Sequence, residues 1–376
     1  MVEWKKLGEF LDFEQPTRYL VQSTDYNDSY GIPVLTAGQS LLLGYTNETD
    51  GVFEASKENP TIIFDDFTTS FHWIDYCFKV KSSAMKMLKP KVGVNFRYVY
   101  YAMCGIHFVP TQHQRHWISK YSQFEIPVPS IAEQSRIVGV LDTFSASIEN
   151  LKQQIAQRRK QYNWIIDHFY YSDKYEMIKA VDEGKVQVKT MDEIGTFIRG
   201  RRFVRTDIVQ EGISCIHYGD MYTYYGVWAD KTPTFLTKEK AAKLRFAQKG
   251  DVVIVAAGEN DIDIGVGVAW LGENEVVVHD ACFIYKHKMD PKYISYYLRS
   301  MNYHLQIRMG VVDGKICSIS AKELGRTLVP VPSLPEQQRI VSILDTFEAS
   351  IANLEQQLAQ RERQYEYYRN KLLTFE

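Results

Sequence analysis

The chain carries one long segment twice. Pro127-Val128-Pro129-Ser130-Ile131-Ala132-Glu133-Gln134 returns 203 residues later as Pro330-Val331-Pro332-Ser333-Leu334-Pro335-Glu336-Gln337. Residues 127–162 and 330–365 agree at 25 of 36 positions without a gap. The stretches ahead of the copies, 1–126 and 185–329, agree little. The order is therefore variable, constant, variable, constant. A duplicated unit that holds one part fixed and lets the other drift performs one mechanical task twice while recognising two different things.

Each constant segment reads as a long helix. Ser130 and Glu133, and again Ser333 and Glu336, have the spacing of a capping box. Pro335 falls in the first turn, where no amide donor is lost. Apolar residues then recur at steps of four and three: Ile137, Leu141, Phe144, Ile148, Leu151, Ile155, then Tyr162, Ile165 and Phe169. The second copy gives Ile340, Leu344, Phe347, Ile351, Leu354, Leu358, then Tyr365, Tyr368 and Leu372. Arg158 and Arg361 interrupt the two seams at the same place. A heptad stripe of this length predicts a coiled coil, and each copy offers the other an obvious mate. The short connection leaves the orientation open. An antiparallel pair with a pseudo-twofold axis is the arrangement that a DNA duplex would require, because its half-sites are related by a dyad.

The variable stretches read as two related α/β domains, giving an α+β fold class with two long helices. Lys5–Phe10 is echoed by Asp192–Phe197, Ile32–Gly38 by Ile213–Gly219, and Phe96–Tyr101 by Pro291–Tyr297. The expected division is 1–126 and 185–329 for the domains, 127–171 and 330–376 for the constant helices, and 172–184 for a linker. At 126 and 145 residues, each domain can bury its own core.

Basic and amide side chains cluster in ways that suit nucleic acid. Arg199, Arg201, Arg202 and Arg205 fall within seven positions after a strand-like run. Lys315 sits in an Asp-Gly-Lys turn shortly after Arg308. In the first domain, Gln112, His113, Arg115 and His116 form a compact run. Thr36 and Gln39, and His217 and Tyr218, lie at the ends of the echoed strand-like runs. Arginine bidentate to guanine, and Gln to adenine, are standard base readouts; a solvated loop is the plainer reading of each run.

Charge limits this. The whole chain carries −2, residues 1–126 carry 12 basic and 14 acidic residues, and 185–329 carry 20 and 17. Tight DNA binding by the chain alone would need more positive charge, so a partner is expected to supply most of the backbone grip. No Walker loop is present, and Asn59-Pro60-Thr61-Ile62 is a poor match to a methyltransferase Asn-Pro-Pro-Tyr run. Asp261, Asp263 and Asp280 lack a lysine companion for nuclease chemistry. His113 and His116 lack the further ligands of a metal site. The five cysteines are scattered and odd in number, as free thiols in a reducing cytoplasm are. No run is apolar and long enough to cross a membrane.

The duplicated helices, each opened by Pro-x-Pro-x-x-x-Glu-Gln-x-Arg-Ile-Val-x-x-Leu-Asp, make the whole chain resemble the specificity subunit of Type I DNA restriction–modification systems. The turn Gly258-Glu259-Asn260-Asp261 and the run Val278–Cys282 also resemble that family. The resemblance implies target recognition domains that each read half of a bipartite DNA sequence, with the helices as a ruler for the spacer. It implies docking of two methyltransferase subunits and of restriction subunits that translocate DNA. It implies no catalysis and no cofactor in this chain. Two other readings stay open: a single-chain DNA-modifying enzyme, and a coiled-coil scaffold with ligand-binding domains.

Overall fold

A computed structural model describes residues 2–375, except Gln39, Val92, Gln112, His113 and Asn260, together with all their side chains but that of Lys174. The chain forms two compact units, residues 1–152 with 356–376 and residues 153–355. Both long helices contribute to both units, because each spans about forty residues: Ile131–Phe169 and Leu334–Leu373.

In the first unit an antiparallel sheet runs in the order Leu11–Glu14, Met85–Pro90, Thr61–Asp65, Phe71–Ile74. A second sheet places Ile32–Leu35 between Leu42–Thr46 and the parallel strand Lys79–Val80. Glu3–Lys6 pairs with Glu125–Val128, so the start of the constant segment is a strand before it is a helix. The helix Phe96–Cys104, capped by Asn95, lays Tyr98, Val99, Tyr101 and Ala102 against Ile137 and Leu141.

The second unit repeats this plan with more strands. Gly195–Arg199, Cys282–His287, Val252–Val255, Gly267–Trp270 and Trp228–Ala229 form one sheet in that order. Ile208–Val209, Thr234–Leu236, Ile213–Ile216, Val276–Val278 and Phe246–Ala247 form the other. Gln187–Thr190 pairs with Leu328–Val331 as its counterpart does in the first unit. The segment 172–184 holds a nine-residue helix, Lys174–Asp182, capped by the Asp173 side chain.

Equivalent contacts mount each domain on its helix. Tyr98 Oη donates to Pro127 O at 2.9 Å and Tyr293 Oη to Pro330 O at 3.0 Å. Arg97 Nε reaches Asp142 at 2.7 Å and Lys292 Nζ reaches Asp345 at 2.6 Å. Tyr101 and Tyr296 donate to the same two carboxylates. The repeated Glu-Gln-x-Arg motif also works alike in both places. Gln134 and Gln337 turn inward to Pro129 O and Pro332 O, both at 2.9 Å. Glu133 and Glu336, expected to reach back to the serine amides, instead take bidentate bonds from Arg136 and Arg339. The guanidinium is one turn away and binds a carboxylate more strongly than a neutral amide does.

One echo shifts. The helical turn Leu7–Phe10 corresponds to Met191–Ile194, since Leu7 donates to Phe124 O and Met191 to Thr327 O, both at 2.9 Å. Gly8 lies within its turn, whereas Gly195 opens a strand where a Cβ would come within 2.5 Å of Lys286 O. Matching the two glycines therefore misaligned the run by three residues.

The helices pair antiparallel within each unit. In the first, Phe144 stacks on Tyr368 at 5.3 Å and Arg361 lies over Phe144 at 5.6 Å. In the second, Arg158 lies over Phe347 at 5.4 Å and Arg339 over Phe169 at 5.5 Å. The two arginines that break the seam are thus each placed on a phenylalanine face. Ile137, Leu141, Leu151, Ile155, Ile340 and Leu344 are buried. Phe144, Ile148, Phe347, Ile351, Leu354 and Leu358 are half-buried, because a two-helix seam covers each side chain from one side only.

Candidate nucleic-acid interface

The strand Gly195–Arg199 is at a sheet edge, and the chain leaves it through the arginine run. Gly200 makes this crossing possible: a Cβ there would lie 2.2 Å from His279 O and 2.5 Å from Val278 O. Its amide donates to Cys282 O, and that of Arg201 to Val278 O. Val278 in turn donates to Arg245 O, which places Arg245 beside the run. The side chains are then braced by carbonyls. Arg199 Nε donates to Asp280 O at 2.7 Å, Arg245 Nη1 to Arg199 O at 2.5 Å and Arg201 Nη1 to Lys243 O at 2.9 Å.

Arg199, Arg201, Arg202, Arg205, Lys243 and Arg245 are all exposed. Among the described residues, no carboxylate forms an ion pair with any of the six. The nearby acid Asp207 is committed elsewhere, to Lys240 at 2.8 Å. Carbonyl bracing orients a guanidinium while leaving its charge and its remaining donors available to an anion. Sequence reading missed Lys243 and Arg245, although Lys238, Lys240, Lys243, Arg245 and Lys249 gave a visible basic density.

Phe203, His217, Tyr218 and His279 form a ring cluster, with His217 4.7 Å from Tyr218 and 4.9 Å from His279. His217 was expected to contact DNA, but it is buried, and its Nδ1 accepts from the Gly219 amide at 3.2 Å. His279 Nδ1 accepts from Ala281 N, which leaves Nε2 to donate to Phe203 O at 3.0 Å. Burial lowers the pKa of both imidazoles. They are neutral supports for the arginine run; Tyr218, half-buried, remains partly accessible.

The turn His279-Asp280-Ala281 joins this patch to a second one. Ala281 O accepts from Ala256 and Ala257 amides, and Ala257–Gly258 pairs with Cys317–Ser318. That ladder closes the loop holding Arg308 and Lys315, both exposed. The loop also exposes Met309 (93%), Val312 (65%) and Ile316 (62%), facts not foreseen from sequence.

The first unit gives less. Thr36 closes a turn, its hydroxyl donating to Ser40 O at 2.7 Å. Arg115 is exposed. His116, expected at the surface, is 1% exposed: its amide donates to Asp66 O and its ring meets Phe108. Trp117 is buried beside it and donates its amide to the Asp66 carboxylate, which pairs with buried Lys86. The run is therefore anchored at 116–117, by a residue fifty positions away. Gln39, Gln112 and His113 lie outside the described residues.

Among the described residues, no cluster of three His, Cys, Asp or Glu could hold a metal ion, and no helix is long and apolar enough to cross a membrane.

The Type I restriction modification DNA specificity domain matches residues 1–158 and again 183–363. The specificity subunit of the Escherichia coli Type I restriction enzyme EcoR124I/EcoR124II is 37% identical over all of this chain and 94% of its own. A putative Type I specificity subunit from Haemophilus influenzae is 26% identical over all of the chain and 96% of its own. The crystal structure of an S subunit from M. genitalium aligns with TM-score 0.61 at 16% identity, covering 100% and 97% of the two chains. A chain from a structure of Type I complex assembly aligns at 0.55 and 15% identity, covering 99% and 97%.

Proposed function

Because the chain belongs to the Type I restriction–modification DNA specificity family and is a specificity subunit of such a system, we propose that it is a non-catalytic reader of a bipartite DNA sequence. Residues 1–126 and 185–329 are the two target recognition domains, 127–171 and 330–376 the constant helices, and 172–184 their connection. One observation carries this reading. Two different surfaces are fixed to near-identical helices by equivalent bonds, Arg97–Asp142 and Lys292–Asp345.

In the second domain Arg199, Arg201, Arg202, Arg205, Lys243 and Arg245 grip the duplex, with Tyr218 beside them and Arg308 and Lys315 on the second patch. Thr36 and Arg115 serve the first domain. The chain acts in the cytoplasm with two methyltransferase subunits, which carry out the base flipping and methyl transfer, and with restriction subunits. Two equivalent docking places are supported by the exposed apolar residues that open the helices, Ile131 (57%) and Leu334 (51%), each beside a Glu–Arg pair. The paired helices set the spacer length.

The test is a long-read methylome of cells that express the methyltransferase partner, with and without this chain. A split motif methylated only when the chain is present is the expected result. Methylation that ignores the chain, with the partner expressed and bound, overturns the proposal. Adding one heptad to both helices changes the gap between the two blocks; an unchanged gap removes the ruler.

A further inference from the structure

Among the described residues, the two interhelical ion pairs of the long helices lie on the same flank of the seam. Lys152 and Arg159 of the first helix, and Glu355 and Glu362 of the second, directly follow the seam residues Leu151, Arg158, Leu354 and Arg361. They occupy the e positions of the heptad. The g positions on the other flank hold Val140, Ser147, Gln154 and Gln161, and Ile343, Ser350, Gln357 and Gln364, none of them charged. In the first unit Lys152 Nζ is 3.4 Å from Glu362 Oε1. In the second unit Arg159 Nη2 is 2.5 Å from Glu355 Oε1. Positions 152 and 355 are the same place in the repeat, and so are 159 and 362. One ion pair therefore occurs twice with its sign reversed.

The apolar seam cannot tell one helix from the other. Leu141, Phe144, Ile148, Leu151, Arg158 and Tyr162 have identical counterparts in the second copy. Antiparallel pairing of the first helix with the first helix of another molecule would fit that seam equally well. It would also set Lys152 against Arg159, twice. Pairing of two second helices would set Glu355 against Glu362, twice. We propose that these four charges select the partner: they admit the unlike helix and reject the like helix of a second copy. At the next e positions, Glu348 and Arg369 would attract in a second-helix pair, but Glu348 already lies near the half-buried Arg299.

Such a role fits the exposure of the pairs. Their side chains are 53% and 49% exposed in one case and 63% and 42% in the other. Ion pairs this open add little stability, but charges at e positions set partner choice in coiled coils, and repulsion against the wrong partner is the effective part. The selection holds whatever the recognition domains bind.

The test uses the full chain. R159E/E362R makes each helix complementary to itself and repulsive to its mate, while K152E/R159E/E355K/E362K restores opposite charges between unlike helices. Sedimentation at low salt should show self-association of the double variant at least about tenfold tighter than that of the unsubstituted chain. The gain should shrink at 1 M salt, where charges are screened within about 3 Å. The fourfold variant should match the unsubstituted chain. A double variant that associates no more than the unsubstituted chain overturns the proposal, and so does a fourfold variant that associates like the double. If the double variant is insoluble, a soluble fourfold variant supports the proposal, and an equally insoluble one overturns it.

Discussion

The strand Leu11–Glu14 and the strand Gly195–Arg199 occupy the same place in the two units, yet the chain does opposite things where each ends. Both strands follow a helical turn with a buried first residue, Leu7 or Met191, and both pair antiparallel with the last strand before the shorter helix Phe96–Cys104 or Pro291–Tyr297. In the first unit the Glu14 carboxylate gathers Lys89 at 2.8 Å, Tyr19 at 2.7 Å and the Arg18 guanidinium. In the second unit Arg199, Arg201 and Arg245 meet carbonyls and, among the described residues, form no ion pair with an acid. The scaffold is thus separable from the surface: each domain is held to its helix by equivalent residues, whereas the charge at this edge differs between the two.

Sameness of the scaffold predicts equal damage. Leu141 and Leu344 are equivalent and fully buried. Leu141→Asp and Leu344→Asp should each cost about 3–5 kcal/mol, the range for a buried charge without a partner. Hydrogen exchange should place each loss in its own unit. A loss spread evenly over both units would break the comparison. Leu354→Asp, on a half-buried seam position, should cost about 1 kcal/mol, the ordinary size for a substitution outside the core.

Difference of the surfaces predicts unequal damage. R201A/R202A should weaken recognition of one half-site by about 1–3 kcal/mol for each base no longer read and leave the other half readable. Arg18→Ala, removing a cation already held by Glu14, should leave both nearly unchanged. Methylation of targets mutated in one block or the other, in the assembled complex, separates these outcomes. Equal loss at both blocks would contradict a modular reader.

The helices, their partnership and the arginine run were legible in sequence because each is a local or periodic signal. A heptad stripe names its own face, and four arginines in seven residues need no partner to be noticed. What was not legible depended on pairing across distance. His116 and Trp117 look like part of a polar loop until Asp66 draws their amides inward. His217 looks like a strand-end contact until Phe203 and His279 close over it. Lys243 and Arg245 reach the arginine run only because Phe246–Ala247 pairs with Val276–Val277. Register between strands, set by long-range packing, decides such cases.

The two units should also differ in acid. Burial holds the His287 imidazole down to about 4, and lowers those of His217, His279 and His304. A histidine with a depressed folded pKa contributes full stability above the unfolded value, about 6.5. That contribution is lost as pH falls from there toward 4, since the unfolded chain binds the proton first. The second unit should therefore loosen between pH 6.5 and 4, by up to about 3 kcal/mol for His287. His287→Gln keeps an acceptor for the Met289 amide and cannot titrate. It should flatten the profile in hydrogen exchange of that unit, and an unchanged profile would remove His287 as the cause.

Glu14 gives the smallest effect and the opposite window. Burial alone would raise its pKa, but the bonds from Lys89, Tyr19 and Arg18 outweigh this and hold the carboxyl at about 2. A carboxylate depressed on folding stabilises above its unfolded value, near 4.5, and loses that contribution as pH falls toward 2. The pairs are partly exposed, with Arg18 72% and Lys89 45% accessible, so solvent screens most of the interaction. Glu14→Gln should cost the first unit about 1 kcal/mol or less at pH 7, with the difference vanishing near pH 2. It should also free two cations at the edge that corresponds to the arginine run. If charge alone makes that edge a DNA grip, the substitution strengthens salt-sensitive, sequence-independent binding by the first domain. Unchanged binding would mean that the carbonyl-braced geometry of Arg199, Arg201 and Arg245 matters more than the charge they carry.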